Sequence, residues 1–236
     1  MTLAGARVAL TRPDAGELGD RLVARGVTVV HVPLIEIADP LDGGAALRRA
    51  LARLDSFDWL VVTSANGARR AGPAAAAHPQ VRLAAVGPAT AAALAAAAGR
   101  EVDLVPSLAQ AEGLLAAFPR QPARVLLAQA DLARPVLADG LGAMGHVVES
   151  VTAYRTAVRT PTPDEVARLR EVDAVVLASG SAASAWAGID PQPPAVVVAL
   201  GPVTAAAATA RGVRVDHVAP FPDAAAVSDL LERVVP

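Results

Sequence analysis

Two nearly identical stretches of the chain each combine a Gly-Pro pair with a threonine two residues after the proline. The first is AVGPATAAA at residues 85–93, and the second is ALGPVTAAA at residues 199–207. Each is typical of a buried strand, a sharp turn that glycine permits, and an alanine-rich helix that starts with proline. Free N–H groups at such a helix start can bind an anion. Two such turns suggest one anionic ligand bound from two sides, and the candidate residues are Gly87, Thr90, Gly201 and Thr204.

Two further turns carry small polar residues after predicted buried strands. They are TSANG at residues 63–67 and SGS at residues 179–181. Serine and threonine there either cap a helix or bind an anion, and both roles use the exposed N–H groups of the first helical turn. The candidates are Thr63, Ser64, Asn66, Ser179, Gly180 and Ser181. Arg12 follows the first predicted strand, where it would pair with an anionic ligand or have a structural role.

Composition excludes several kinds of chemistry. The chain has 236 residues, no cysteine, and only arginine among its 21 basic residues. These absences exclude disulfides, thiolate metal sites, thiol nucleophiles, lysine Schiff bases and a phosphate-binding Walker lysine. A net charge of −2 argues against a nucleic-acid-binding surface. With no apolar run long enough to cross a membrane and no signal segment, we expect a cytoplasmic protein without membrane contact.

Other polar and aromatic residues receive less specific predictions. The histidines have no metal-site spacing, so we expect surface or packing roles for His31, His78, His146 and His217. Trp59 and Trp186, beside the serine turns, are expected to pack in the core. Gln129 and Asp131 occupy the turn that matches Arg12 in the second half. Asp131 would repel an anion, so we expect it to cap a helix, whereas Arg134 could reach the ligand.

Strand and helix patterns alternate along the chain and then repeat, which indicates a duplicated α/β fold with parallel sheets. ARVLLAQAD at residues 123–131 repeats ARVALTRPD at residues 6–14, and DAVVLASGSA at residues 173–182 matches DWLVVTSANG at residues 58–67. Each half also contains a short alternating segment after its first βαβ unit. We expect these two segments to pair and to carry the chain between two lobes, so that the opening βαβ unit completes the sheet of the other half.

An ordered set of motifs resembles the uroporphyrinogen-III synthase family over nearly the whole chain. The motifs are TRP at 11–13, PLIEI at 33–37, D-x-x-x-x-TSANG at 58–67, VGPATA at 86–91, AYRT at 153–156, SGS at 179–181 and GPVTA at 201–205. The resemblance implies two similar lobes, each a parallel sheet flanked by helices, joined by a two-stranded ladder. Lobe 1 would comprise residues 1–33 plus 158–236, lobe 2 residues 38–152, and the crossing strands residues 34–37 and 153–157.

The resemblance also implies an activity and a substrate. The family cyclises hydroxymethylbilane, a linear tetrapyrrole with eight carboxylates, to uroporphyrinogen III, with loss of water and inversion of the last pyrrole ring. The commonly proposed route passes through an azafulvene cation and a spiro intermediate, and no metal or organic cofactor is used. The alternatives are a non-catalytic bilobal domain that senses a tetrapyrrole or another anion, and a generic anion-binding protein. We expect a monomer.

Tyr154, the only tyrosine, lies in the AYRT segment. With the resemblance, its hydroxyl is expected to assist departure of the substrate hydroxyl as a hydrogen-bond donor or weak acid. The alternative is a structural tyrosine at the hinge. Because the reactive cation would come from the substrate itself, we expect catalysis to depend mainly on how the linear chain is held.

Overall fold

A computed structural model describes residues 3–189, 194 and 196–235. The strands are β1 (Arg7–Leu10), β2 (Thr28–His31), β3 (Ile35–Ala38), β4 (Trp59–Val62), β5 (Arg82–Ala85), β6 (Arg124–Ala130), β7 (Val147–Val158), β8 (Ala174–Leu177), β9 (Val196–Ala199) and β10 (His217–Val218). The helices are α1 (Gly16–Ala24), α2 (Ala45–Leu51), α3 (Ala65–Ala75), α4 (Pro88–Ala98), α5 (Ala111–Ala117), α6 (Val136–Ala143), α7 (Pro163–Leu169), α8 (Gly180–Ala187), α9 (Pro202–Thr209) and α10 (Ala224–Val234).

The chain divides into two compact units, each with its own sheet. Unit 1 comprises Met1–Glu36 and Ala157–Pro236, and unit 2 comprises Ile37–Thr156. The sheet of unit 1 has the strand order β10-β9-β8-β1-β2, and the second sheet has the order β3-β7-β6-β4-β5. Strands β1, β2, β8, β9 and β10 pair in parallel, as do β4, β5, β6 and β7. The predicted α/β class with parallel sheets flanked by helices is confirmed.

Sequence composition explains why these strands are central. WLVV in β4, AVVL in β8 and VVVA in β9 are buried at every position, as is typical of parallel strands covered by helices on both faces. In unit 2, Leu60 and Val62 belong to the core on one face of the sheet, and Trp59 and Val61 belong to the core on the other. Helices α3 and α4 are rich in small residues and pack closely. A Cβ on Gly72 of α3 would lie only 2.7 Å from the Cβ of Ala97 in α4.

The opening strands join the sheet of the second half of the chain. β1 pairs with β8, with Leu10 opposite Val176, so the predicted exchange of the first βαβ unit is confirmed. β3 and β7, which carry the chain between the units, are neighbours in the second sheet. The two halves differ at one point: Pro33 separates β2 from β3, whereas β7 continues unbroken for 12 residues. Proline has no N–H to continue the ladder, and no proline occurs within β7.

Among the residues that the structure describes, no helix is both long enough and apolar enough to cross a membrane.

Candidate functional site

In each unit, two neighbouring parallel strands end at the same sheet edge and lead into helices. In unit 2, β4 leads into α3 and β5 into α4, and the N–H of Val86 donates to the carbonyl of Val62 at 3.2 Å. In unit 1, β8 leads into α8 and β9 into α9, and the N–H of Leu200 donates to the carbonyl of Leu177 at 3.0 Å. The same pair of adjacent helix N-termini therefore occurs at the carboxyl edge of each sheet, where α/β proteins bind ligands.

The two Gly-Pro turns leave their first backbone donors free. Gly87 and Gly201 are the N-cap residues, and proline occupies the first helical position in both, as predicted. The first helical hydrogen bonds run from Ala91 N–H to Gly87 O at 2.9 Å and from Ala205 N–H to Gly201 O at 3.0 Å. The N–H groups of the two residues after each proline have no partner inside the helix. Each turn thus offers two amide donors to a ligand.

The backbone at the glycines of these turns is extended. Their φ angles are −171° at Gly87 and −177° at Gly201, a conformation that any residue adopts. Glycine permits this exit from the strand, but the φ angle alone does not require it. Instead, space limits Gly87, because a Cβ there would lie 2.9 Å from the Cβ of Ala109. At Gly201 a Cβ would have no neighbour within 4 Å, so this turn is open.

The threonines of the Gly-Pro turns are buried and have no protein partner. Thr90 and Thr204 are each 7% exposed. Within the described part of the chain neither hydroxyl makes a hydrogen bond, and neither oxygen is fully enclosed. Thr204 lines a cleft of about 290 Å³ together with Gly201 and Pro202. These hydroxyls do not act as caps, which leaves ligand binding as the role that their positions favour.

The serine turns combine capping with free donors. Ser64 Oγ accepts from the N–H of Gly67, and Ser179 Oγ accepts from the N–H of Ala182, each at 3.1 Å. The capping role is therefore correct for both serines. The amides of residues 65–66 and 180–181 precede the first helical bonds and stay free.

The other candidates of the serine turns have individual environments. Thr63 lines a unit 2 cleft of about 320 Å³ with Gln129 and Arg134. The side-chain oxygen of Asn66 accepts from Arg69 at 3.2 Å, so the Asn66 side-chain NH2 group and the backbone amide are its donors for a ligand. A Cβ on Gly180 would lie 3.1 Å from the Cβ of Ala207, which explains the small residue there.

Tyr154 lies in β7 opposite Ala130, where the register with β6 shifts after Gln129. It is 8% exposed and packs against the core of unit 2. Its hydroxyl has no protein partner among the described residues and is not fully buried. Because β6 ends beside β4, Tyr154 lies at the same sheet edge as Thr63. The ring is held by packing and the hydroxyl is free to donate, so the structural and catalytic roles are compatible.

Arg70 is a neighbour of Tyr154 that sequence reasoning missed. Its guanidinium carbon lies 5.9 Å from the centroid of the Tyr154 ring, and its Nη2 lies 3.4 Å from the carboxylate of Asp39. It brings a positive charge, paired with Asp39, over the tyrosine ring. No local pattern indicates this contact, because it depends on β7 being placed beside β6.

Arg12 lies at the carboxyl edge of the unit 1 sheet, after β1. The preceding Thr11 is buried and donates its hydroxyl to the carbonyl of Val176 at 2.9 Å. His31 Nε2 lies 2.9 Å from the carbonyl oxygen of Arg12, so the backbone is fixed on two sides. Among the described residues the guanidinium of Arg12 has no ion-pair partner. The side chain is therefore available to a ligand at the edge that carries Ser179 and Gly201.

Protein partners contact the two second-half counterparts of Arg12, Gln129 and Asp131, and the separate candidate Arg134. Gln129 donates to Ser150 Oγ at 3.0 Å, and Arg134 faces Glu112 at 3.6 Å. The prediction that Asp131 caps a helix is wrong, because α6 begins at Val136 with Pro135 as its N-cap, beyond reach of this side chain. The Asp131 carboxylate instead accepts from the N–H of Thr156 at 3.4 Å.

A second cleft of unit 2, of about 410 Å³, is lined by Asp42, Asp131 and Arg155. The N–H groups of Ala46 and Gly44 hydrogen-bond the Asp42 carboxylate and hold its pKa below the ordinary value. This cleft therefore presents an ionised carboxylate at Asp42, which does not suit an anionic ligand.

The remaining aromatic and metal-ligand candidates are structural or dispersed. Trp59 and Trp186 are buried in the cores of their units, as predicted. His146 is buried, with its ring edge-on to Phe118 at 5.1 Å. In the described segments no cluster of three or more acidic or histidine side chains could bind a metal ion.

The chain matches the family model of uroporphyrinogen-III synthase HemD over residues 16–229. It belongs to the uroporphyrinogen-III synthase family. The uroporphyrinogen-III synthase of Synechococcus elongatus is 31% identical over 168 residues, which cover 66% of this chain. The match spans about 63% of the length of that curated relative. The resemblance drawn from the ordered motifs is thus confirmed.

Solved structures of the family support the fold. A mutant uroporphyrinogen III synthase from the extremely thermophilic bacterium Thermus thermophilus is 22% identical with a TM-score of 0.59, covering 97% of this chain and 98% of that one. The uroporphyrinogen-III synthetase from Helicobacter pylori is 16% identical with a TM-score of 0.67, covering 95% and 97%. At these identities the likeness establishes the fold, and it agrees with the predicted pair of α/β lobes.

Proposed function

We propose that this protein is a uroporphyrinogen-III synthase that cyclises hydroxymethylbilane to uroporphyrinogen III. Family membership supports the reaction. The observation that carries the proposal within this chain is the donor-rich carboxyl edge of each sheet, with free first-turn amides and the unpartnered hydroxyls of Thr90 and Thr204. A substrate with many carboxylates needs such donors in a protein whose net charge is −2.

In this proposal the helix-start turns of each unit bind carboxylate arms of the substrate. Helix N-termini stabilise an anion by roughly 0.3–1 kcal/mol each, and by more when the site is partly buried. Arg12 adds one cation on the unit 1 side. The substrate-binding residues are Arg12, Thr63, Ser64, Asn66, Gly87, Thr90, Ser179, Gly180, Ser181, Gly201 and Thr204. Several weak contacts spread over many positions hold a flexible chain with its two ends close together.

Tyr154 is the proposed donor to the leaving hydroxyl. The substrate hydroxymethyl group loses its hydroxyl, and the bridge-bearing α-carbon of the last pyrrole ring bonds to the resulting cationic carbon to give the spiro intermediate. The bond from this α-carbon to its original methylene bridge then breaks, and that methylene carbon bonds to the free α-carbon of the same ring, which loses its proton. The ring is inverted, and one water is lost overall. The Tyr154 hydroxyl has no protein partner among the described residues, so it is free to donate to the leaving hydroxyl. Arg70 lies over the face of the Tyr154 ring, with its guanidinium carbon 5.9 Å from the ring centroid. We further propose that the protein acts without a metal or organic cofactor, as a cytoplasmic monomer.

The decisive experiment supplies freshly generated hydroxymethylbilane and separates the type I and type III ring isomers after oxidation to porphyrins. Ring closure without inversion gives type I. A synthase gives predominantly type III, at a rate proportional to protein concentration. Tight binding of the linear tetrapyrrole with only type I product would instead identify a non-catalytic sensing domain.

A further inference from the structure

The cleft beside α9 in unit 1 has no charged side chain in its lining. It is lined by Ala178, Leu200, Gly201, Pro202, Val203, Thr204, Ala219, Pro220 and Pro222. Thr204 alone among them has a polar side chain. The polar groups in this cleft are thus a hydroxyl and backbone groups, and the rest of the lining is apolar. A ligand that fits must combine an apolar body with a hydrogen-bond acceptor.

One exposed apolar side chain lines this cleft, and a second lies on the chain segment that borders it. Val203, which lines it, is 81% exposed, and Phe221, which lies between the lining residues Pro220 and Pro222, is 65% exposed. Both are large apolar groups in contact with water, which proteins tend to keep for binding surfaces when they cluster. Val203 belongs to the turn whose amides and Thr204 hydroxyl are free, and Phe221 lies on the segment between two residues that line the same cleft.

The segment that carries Phe221 is fixed at both ends. Before it, the N–H of Ala219 donates to the carbonyl of Ala199 at 2.9 Å. After it, Asp223 caps α10, with its carboxylate accepting from the N–H of Ala226 at 2.8 Å. The prolines on either side of Phe221 restrict its backbone further. An exposed phenylalanine on such a segment loses little conformational freedom when a ligand binds.

We propose that Val203 and Phe221 contact the face of one pyrrole ring of the substrate, while the Thr204 hydroxyl and the first-turn amides of α9 bind a carboxylate arm of that ring. This inference rests on the proposed function and names the part of the substrate that this cleft takes. A pyrrole with acetate and propionate arms has the required chemistry, because a flat apolar ring lies a few bonds from each charge. The volume of about 290 Å³ suits one ring with its arms rather than the whole tetrapyrrole.

The test compares Phe221→Ala and Val203→Ala with a matched control, Val23→Ala. Val23 is also an exposed valine, at 60%. It lies in the last turn of α1, and the first turn of that helix is the end nearer the carboxyl edge of the sheet. Aromatic and apolar contacts of this kind change affinity by about three- to tenfold. We expect Phe221→Ala to raise KM by that factor with kcat within about twofold of the parent. Val203→Ala should act in the same direction, and Val23→Ala should change neither constant.

Salt dependence separates an apolar contact from damage to the anion site. If Phe221 contacts the ring, the fold-change in KM stays the same at low and high ionic strength, because salt screens charges and not apolar contacts. A fold-change that disappears at high salt, or an unchanged KM, would overturn the inference. A parent protein that forms no type III product would refute the proposed function instead, so the two failures are distinguishable.

Discussion

Replacing Tyr154 by phenylalanine tests the proposed chemistry with little structural disturbance. The hydroxyl has no protein hydrogen bond in the described segments, and the ring keeps its packing in the unit 2 core and its contact with Arg70. The substitution therefore leaves no buried donor or acceptor without a partner. We expect the free energy of unfolding to change by less than about 0.5 kcal/mol.

The effect on turnover is expected to be much larger. Removing one donor from a group that develops charge in the transition state lowers kcat by about 10²–10³-fold, or about 2.7–4 kcal/mol. Some activity remains, because holding the substrate supplies the rest of the acceleration. The assay measures the initial rate of type III formation, with the thermal unfolding curve as the control for folding. An unchanged kcat in a normally folded Tyr154→Phe protein would remove Tyr154 from the mechanism.

Three further predictions concern binding and stability. Thr204→Val keeps the shape but removes a hydroxyl without a protein partner, so KM should rise by about tenfold or more while stability is unchanged, as steady-state kinetics and thermal unfolding can check. Ser228 has a fully buried hydroxyl with no partner in the described part of the chain, so Ser228→Ala should raise the free energy of unfolding by about 1 kcal/mol, measured with urea. The N–H of Thr162 and the guanidinium of Arg159 hold the pKa of Glu165 below its ordinary value. This ionised carboxylate stabilises unit 1 above the unfolded-state pKa of about 4.3, and its contribution is lost as the pH falls through the lowered folded-state pKa. The stability difference between parent and Glu165→Gln should therefore be largest near pH 7 and shrink at acidic pH.

Each of these predictions has an outcome that contradicts it. A Thr204→Val protein with the parent KM would show that the hydroxyl does not contact the substrate. A less stable Ser228→Ala protein would mean that the hydroxyl is satisfied. A difference between parent and Glu165→Gln that does not depend on pH would show that the ionised carboxylate contributes no stability.

Much of the fold could be predicted because its signals are local. The continuous apolar runs of the central strands, the prolines at the first positions of α4 and α9, and the repeated order of motifs all act within a few residues. Because the chain is duplicated, each of these sequence patterns occurs once in each half. The repetition predicted the α/β class and the exchange of the first βαβ unit. The long β7 was predicted less well, because only the absence of a proline distinguishes it from the broken β2 and β3.

Side-chain partners were harder to predict because they depend on strand order. The contact of Arg70 with Tyr154 joins residues far apart in sequence, and so does the hydrogen bond from Thr11 to Val176. The error at Asp131 has the same origin, since local sequence does not show that its turn ends near Thr156 rather than at a helix start. The substrate contacts and the lobe boundaries drawn from sequence remain predictions.

The most direct test of the central claim is to follow backbone amide resonances during a titration with uroporphyrinogen III. If carboxylates bind at the helix starts, the amides of Ala89, Thr90, Val203 and Thr204 shift downfield. Their shifts grow with ligand concentration and reach saturation, as specific binding requires. The amide of Val23, at the other end of α1, serves as the reference and stays unshifted. Unshifted helix-start amides in a protein that still forms the type III isomer would contradict the account.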